Sequence, residues 1–456
     1  MKKEKEQMKK LSLFAISWPI FIELSLHMLM GNADTFMLSQ YSDDAVAAVG
    51  VSNQILSVMI VMFGFIATGT SVLIAQFLGA KQEKEASHIA VVSIISNLII
   101  GLIIGIVLLF FSQSLLQLIG VSPSILSEAT IYLQIVGLSL LAQSGIMTIG
   151  ATLRSYRFTK DVMYVTIGMN ILNVIGNYLF IFGPFGIPVL GVQGVALSTA
   201  LSRTIGIIVM LLVLYKRVNG KLPFSNVFKR FPAFELKKIL KIGIPSAGEH
   251  LSFNGSQLVI TSFIVLLGTE ALTTRVYAQN IGMFVLLFSI AIGQGTQIII
   301  GHQIGAKQLE EAYKRCITSL QIAIGLAAFV GFVIFLCSEP ILRIFTDNTD
   351  IVKTGGLLLL LTVLVEPGRA FNAVVINSLR AAGDVNFPVL IGIISMWGVS
   401  VPIAYLLGIH LGYGLIGIWI AFIIDEWLRG ILMLWRWRQG KWREMAFVHN
   451  QKSHVS

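Results

Sequence analysis

Apolar residues in this 456-residue chain come in long runs separated by short polar segments. A helix needs roughly 20 predominantly apolar residues to cross the hydrocarbon of a bilayer, because its backbone polar groups must be satisfied within the segment. Twelve such stretches are predicted, at about 11–38, 46–78, 88–112, 124–153, 161–183, 191–215, 237–267, 272–304, 312–337, 349–380, 385–409 and 413–436. Several exceed 28 residues, so tilt or protrusion beyond the bilayer is expected. The first run holds carboxylates and lacks a small-residue cleavage site, which sets it apart from a secretory signal. The predicted fold class is an all-α polytopic membrane protein.

Composition agrees. Only 12% of residues are charged and 55% are hydrophobic, whereas a soluble domain carries about 25% charged residues, and mean hydropathy is +0.82. A soluble enzyme, a disordered scaffold and a nucleic-acid binder are excluded on that ground. The net charge of +10 changes meaning once it is placed. The two tails and the loops after even-numbered spans hold 28 Lys and Arg, against three, Arg275, Arg343 and Lys353, in the loops after odd-numbered spans. That asymmetry puts both termini in the cytoplasm of a multi-pass plasma (inner) membrane protein. Trp435, Trp437 and Trp442, among basic residues, suit an interfacial anchor after the last span. Cys316 and Cys337 lie in apolar runs and offer neither a disulfide framework nor a thiolate metal site.

The chain repeats itself. Pro19 and Glu23 recur as Pro245 and Glu249, Gly79-Ala80-Lys81-Gln82 recurs as Gly305-Ala306-Lys307-Gln308, and Leu153-Arg154 recurs as Leu379-Arg380, all at an offset of 226. Two copies of a six-span unit follow. Six is even, so both copies enter the membrane the same way round, related by a pseudo-two-fold axis along the membrane normal. The expected organisation is an N-terminal six-helix lobe over 1–215, a cytoplasmic linker over 216–236, and a C-terminal six-helix lobe with its tail over 237–456. Two like-oriented bundles suit alternating access.

Ionisable groups inside spans are costly, at about 2.5–3.5 kcal/mol each on insertion scales, and mark function by default. Glu23, His27 and Asp34 fall on one stripe of span 1. Asn173 and Asn177 share a face of span 5, with Asn170 one turn earlier, and span 6 supplies Ser198 and Thr199. Asp34, Asn173, Asn177 and Thr199 together would form an oxygen cage of the kind that a hard cation such as Na⁺ prefers. The same desolvated carboxylate could instead hold a proton, and the asparagines could be interhelical glue. Offset 226 puts Ile260 opposite Asp34, so the second copy lacks the cage. The asymmetry favours one coupling site in the first half.

Other intramembrane groups read less sharply. Glu23 and Glu249 follow a helix-breaking proline and could serve structure or the cleft. His27 and His250 lie beside those carboxylates. Glu366 and Arg369 could neutralise each other or line the cleft of the second half, and Arg203 could pair with Asp425 or Glu426 near the cytoplasmic ends of their spans, a choice that sequence leaves open. Gly183-Pro184-Phe185-Gly186 forms an outer turn. Walker loops, dinucleotide fingerprints and helical His/Glu metal pairs are absent, so neither an enzyme nor an ATP-driven pump is expected.

On Trp18-Pro19-Ile20-Phe21-Ile22-Glu23 with Asn32-Ala33-Asp34-Thr35, the paired Gly-Ala-Lys-Gln loops, Leu379-Arg380-Ala381-Ala382-Gly383-Asp384, and Leu172-Asn173 to Asn177, the chain resembles the multidrug and toxic compound extrusion family of secondary transporters. The resemblance covers essentially the whole chain. It implies Na⁺- or H⁺-driven export of amphipathic, often cationic drugs, with Asp34 as the coupling residue and Asn173, Asn177 and Thr199 as its neighbours. The alternative within transport is a flippase or exporter of a lipid-linked or amphipathic metabolite. Two positions depart from the family pattern. Phe253 stands where members with a second acidic site carry glutamate, and Arg369 stands where many carry aspartate, which leaves anionic or zwitterionic substrates open. The expected partners are small amphipathic substrates and the lipid bilayer, without nucleic acid. The expected state is a monomer with no cofactor beyond the coupling ion.

Overall fold

The structure is a computed structural model, and it describes residues 12–218, 220, 222 and 232–448. Most of the expected linker, 219, 221 and 223–231, lies outside the described residues, as do the lysines of the N-terminal tail. The described chain is helical, in the order α1 (Leu13–Ser39), α2 (Asp43–Gly79), α3 (Glu83–Leu118), α4 (Pro123–Leu138), α5 (Leu140–Ser155), α6 (Thr159–Phe182), α7 (Gly191–Arg217), α8 (Ala233–Leu266), α9 (Thr269–Gly305), α10 (Leu309–Leu336), α11 (Ser338–Arg343), α12 (Thr349–Ala382), α13 (Asn386–His410) and α14 (Gly414–Arg438). Among the described residues nine helices are long and apolar enough to cross a membrane, or ten when α4 and α5 count as one bent span. Helices α8 and α14 are also long, at 34 and 25 residues, but more polar, with Glu249 and His250 in one and Asp425, Glu426 and Arg429 in the other.

One expected span departs from a single helix. The run at 124–153 bends by 43° between α4 and α5. Ser139 sits at the break and donates its hydroxyl to the Val136 carbonyl at 2.7 Å. Elsewhere local chemistry sets the ends. Pro123 opens α4, where its missing N–H costs nothing. Asn348 caps α12 by accepting from the Asp350 and Ile351 amides at 2.9 and 3.3 Å. Gly183, at φ 61°, closes α6 in a conformation that glycine adopts freely. Helix α13 carries two wide π turns, Met396–Ser400 and Leu406–His410.

The chain divides into two compact units. One holds residues up to Phe21, Ala75–Lys81 and the chain from Ile244 onward. The other holds Ile22–Ile74 and Gln82–Gly243. The second of these has a core in which Leu38, Val49, Phe63, Tyr132, Leu133 and Val195 pack together, with another around Ile149, Leu153, Val162 and Met210. The first is built around Ile260, Ile264, Leu358, Ile418, Trp419 and Phe422. Within it the two Gly-Ala-Lys-Gln segments meet reciprocally. A Cβ on Gly79 would strike the His302 backbone, and a Cβ on Gly305 would strike the Gln76 carbonyl, positions 76 and 302 being themselves 226 apart. Small residues let helix backbones approach where lipid offers no hydrophobic drive for association.

Candidate functional site

The prolines of α1 and α8 lie one turn before Glu23 and Glu249. Glu23 accepts from Arg154 Nη1 through both carboxylate oxygens, at 2.7 and 3.0 Å. Glu249 pairs with Arg380 in the second copy. The two pairs are the same contact at offset 226, each spanning 131 residues. The repeated sequence anchors are therefore partners of one another, and the arginines were the part that sequence reasoning passed over. The signal was available, since Arg154 and Arg380 sit in the third repeated anchor.

Asp34, three turns further along the same stripe of α1, is 6% exposed despite its charge. Asn177 Nδ2 on α6 donates to Asp34 Oδ1 at 2.5 Å and to Asn173 Oδ1 at 3.4 Å. Asn173 Nδ2 donates to Thr199 Oγ1 on α7 at 3.2 Å, and Ser198 Oγ donates to the Asn173 carbonyl at 2.8 Å. The four expected residues thus form one buried hydrogen-bonded chain. A hydrogen bond to a charged group contributes about 1.5–3 kcal/mol, so Asn177 holds Asp34 in a defined rotamer. The Asn177 Oδ1 atom is buried with no donor, and so is the Nδ2 of Asn170 one turn below. Gly176 makes room for this packing, because a Cβ there would collide with Ser198. His27, on the same stripe of α1, is exposed and stands outside the chain of hydrogen bonds.

Glu366 and Arg369 do pair, with Arg369 Nη1 at 2.7 Å from Glu366 Oε1. They belong to a larger buried network. Arg369 Nε lies 3.8 Å from Glu426, Arg429 meets Glu426 at 2.7 Å and Asp425 at 3.4 Å, and Asn372 Nδ2 donates to Glu426 at 2.7 Å. Ser395 donates to Asp425. The Glu366 Oε2 atom remains without a partner, at a small cavity lined by Gly282, Thr362, Arg369, Trp419 and Phe422. The expected pairing of Arg203 with Asp425 or Glu426 is corrected here. Those acids are taken by Arg429 on their own helix, at i+4 and i+3, and Arg203 Nη1 donates instead to Ser139 Oγ at 3.1 Å. The expectation placed Arg203 near a span end, whereas it sits in the middle of α7.

Among the described residues no group of three His, Cys, Asp or Glu side chains is placed to hold a metal ion. Around Asp34 the neighbours are amides and hydroxyls, oxygen donors of low charge that suit a monovalent cation or a proton.

The MatE family model matches the chain twice, over 19–179 and 245–406, and the two matches begin 226 residues apart. The chain is 56% identical to an uncharacterized transporter, YisQ, from Bacillus subtilis, over 95% of each chain. It is 29% identical to a probable multidrug resistance protein, NorM, from Thermotoga maritima, over 99% of this chain and 97% of that one. In fold it is similar to a crystal structure of the Vibrio cholerae MATE transporter VcmN, with a TM-score of 0.87 at 19% identity over 95% of this chain and 97% of that one.

Proposed function

The chain belongs to the MATE family of transporters, and from that premise we propose that it is a cation-coupled antiporter that exports amphipathic, cationic compounds by alternating access across the plasma membrane. The observation that carries the coupling half of this reading is a carboxylate buried within an apolar helix long enough to span the membrane, beside an orphaned acceptor. Asp34 has Asn177 Nδ2 as its hydrogen-bond donor, while Asn177 Oδ1 has none. A buried acceptor without a donor costs about 1–3 kcal/mol, and a buried ionised carboxylate costs more. A Na⁺ ion held by Asp34, Asn177 and their neighbours Asn173 and Thr199, or a proton on Asp34, would relieve the charge, and Na⁺ would also satisfy the orphaned oxygen. Cation entry and substrate exit are then linked, because the carboxylate is stable in the membrane with a cation or facing water, and unstable sealed and empty. Drug-type substrates enter on the likeness to probable multidrug resistance relatives.

The test is gradient-driven efflux of ethidium from proteoliposomes. Asp34→Asn keeps the size of the side chain and one oxygen that can accept from Asn177, and is expected to abolish efflux under a Na⁺ or a pH gradient while the melting temperature stays within a few degrees of wild type. Retained coupled efflux in that variant would refute the assignment. Imposing each gradient alone on the wild type identifies the ion.

A further inference from the structure

The exposed face of α14 changes character along its length. As far as Trp435 its exposed residues are Ile416, Ile424, Leu428, Ile431 and Trp435, all apolar and on one stripe, while Asp425, Glu426 and Arg429 are buried on its other faces. Ile416 and Trp435 are nineteen residues apart, about 28 Å at 1.5 Å per residue, which matches a hydrocarbon core of about 30 Å. An exposed stripe of that length without a polar residue suits lipid, and it sets the membrane boundary at Trp435. On the orientation that the charge bias implies, this boundary is the cytoplasmic one.

Beyond Trp435 the chain turns basic. Arg436 is held by Asp384 at 2.7 Å, and Arg443 by Glu310 at 2.7 Å. Arg438 and Lys441 are exposed, and among the described residues neither forms an ion pair. Arg438 follows Trp435 at i+3, about 4.5 Å further along the axis, at the level of the headgroups. The turn that carries the two is fixed from below. Gly440, at φ 75°, ends the helix, and Trp442 stacks on Trp437 with ring centroids 4.1 Å apart and planes 6° from parallel. Trp442 Nε1 also donates to the Trp437 carbonyl at 2.8 Å. Both of these indoles are fully buried, so of the three tryptophans expected at the interface Trp435 alone is exposed there, and the other two hold the turn. The first copy has no counterpart, since offset 226 puts Leu212 and Tyr215 opposite Arg438 and Lys441.

We propose that Arg438 and Lys441 form a binding site for the phosphate headgroup of an anionic phospholipid in the cytoplasmic leaflet, with Trp435 and the stripe above it against the acyl chains. The inference stands apart from the coupling role of Asp34. A guanidinium and an ammonium present donors that match phosphate oxygens, and with no carboxylate paired to them both charges are available to the lipid. A zwitterionic lipid brings its own ammonium and gains less from the two cations. The same turn leads into a buried segment in which the Phe447 amide donates to Gln76 at 2.9 Å. Headgroup binding therefore braces the end of the chain against the unit that α14 belongs to.

Phosphatidylglycerol is titrated into the purified full-length protein in detergent, with phosphatidylcholine as the zwitterionic comparison, and bound lipid is counted by native mass spectrometry. A basic residue at an anionic surface contributes about fivefold to lipid affinity. Arg438→Gln together with Lys441→Gln should therefore weaken phosphatidylglycerol binding by about 25-fold and leave phosphatidylcholine binding unchanged. The same double variant should lose the rise in melting temperature that phosphatidylglycerol gives the wild type. Both side chains are exposed, so the fold does not depend on them. Lys84→Gln, which removes an exposed lysine of α3, should keep wild-type binding. Three results would each overturn the inference. Wild-type phosphatidylglycerol affinity in the double variant would mean no site at this turn, equal weakening by Lys84→Gln would mean diffuse attraction to basic residues, and displacement of the lipid by inorganic phosphate at equal concentration would mean a site for free anions.

Discussion

Glu23 shows how a side chain's neighbours decide its part. It lies on the same stripe of α1 as Asp34, and both are carboxylates inside one apolar helix. Their partners differ. Glu23 meets a guanidinium through two charged hydrogen bonds, and Asp34 meets an amide. The first is neutralised in place, whereas the second, among the described residues, accepts from a neutral amide and forms no ion pair. Removing one partner of a buried pair typically costs about 3–5 kcal/mol because the other charge is left behind. Arg154→Met should therefore lower the melting temperature markedly, whereas Glu23→Gln with Arg154→Met together should recover a large part of the loss. Additive losses in that double-mutant cycle would show that the pair is not coupled. Both members of the pair, and of its copy Glu249 with Arg380, were visible in the sequence as repeated anchors. Their mutual contact was not, because nothing in a linear spacing of 131 residues says that two side chains meet. The Asp34, Asn173, Asn177 and Thr199 set was legible for the opposite reason, since each is an uncommon residue in an apolar run and the helical period puts the asparagines on one face.

At the scale of elements, apolar run length located the helices well and their interruptions poorly. The bend at Ser139 and the π turns of α13 fall inside continuous hydrophobic stretches. Both breaks depend on hydrogen-bond choices that hydropathy does not encode. Packing is more readable where glycine is required. At Gly79 and Gly305 an added Cβ would overlap backbone atoms of the facing segment, so the backbone itself must move. Gly79→Ala and Gly305→Ala should each destabilise by about 1–3 kcal/mol, the usual cost of overpacking, and Gly31→Ala, where nothing lies near the added atom, should be nearly neutral. Thermal unfolding in detergent gives the comparison, and equal melting temperatures for all three would contradict the close approach. Lys81 and Lys307, just beyond these glycines, share a φ of 61°, so the two copies preserve the turn as well as its residues.

Over the whole molecule, the two compact units do not coincide with the two halves of the chain. The unit built mainly from the second half also takes residues up to Phe21 and Ala75–Lys81, and the other takes α8 as far as Gly243. Gln76 illustrates the exchange, donating to the Ala381 carbonyl at 2.7 Å and accepting from the Phe447 amide at 2.9 Å. A side chain of the first half therefore completes its hydrogen bonding with backbone groups of the second. Residues 1–218 expressed alone should be protease-sensitive, and co-expression with 219–456 should restore resistance to the wild-type level. Full resistance of the isolated first half would rule this out.

The sequence by itself determined that the chain is an all-helical membrane protein, that it is a parallel duplication, and that Asp34 sits in an asymmetric polar cluster. Hydropathy, charge bias and self-similarity are properties of residues in order, and each survives without knowledge of contacts. Tertiary structure decided which charges are neutralised. Arg429 finds acids on its own helix, Glu23 and Glu249 find arginines 131 residues away, and Arg203, among the described residues, donates to a hydroxyl. In a medium of low dielectric a charge is defined by its nearest partner, and that partner is set by helix packing.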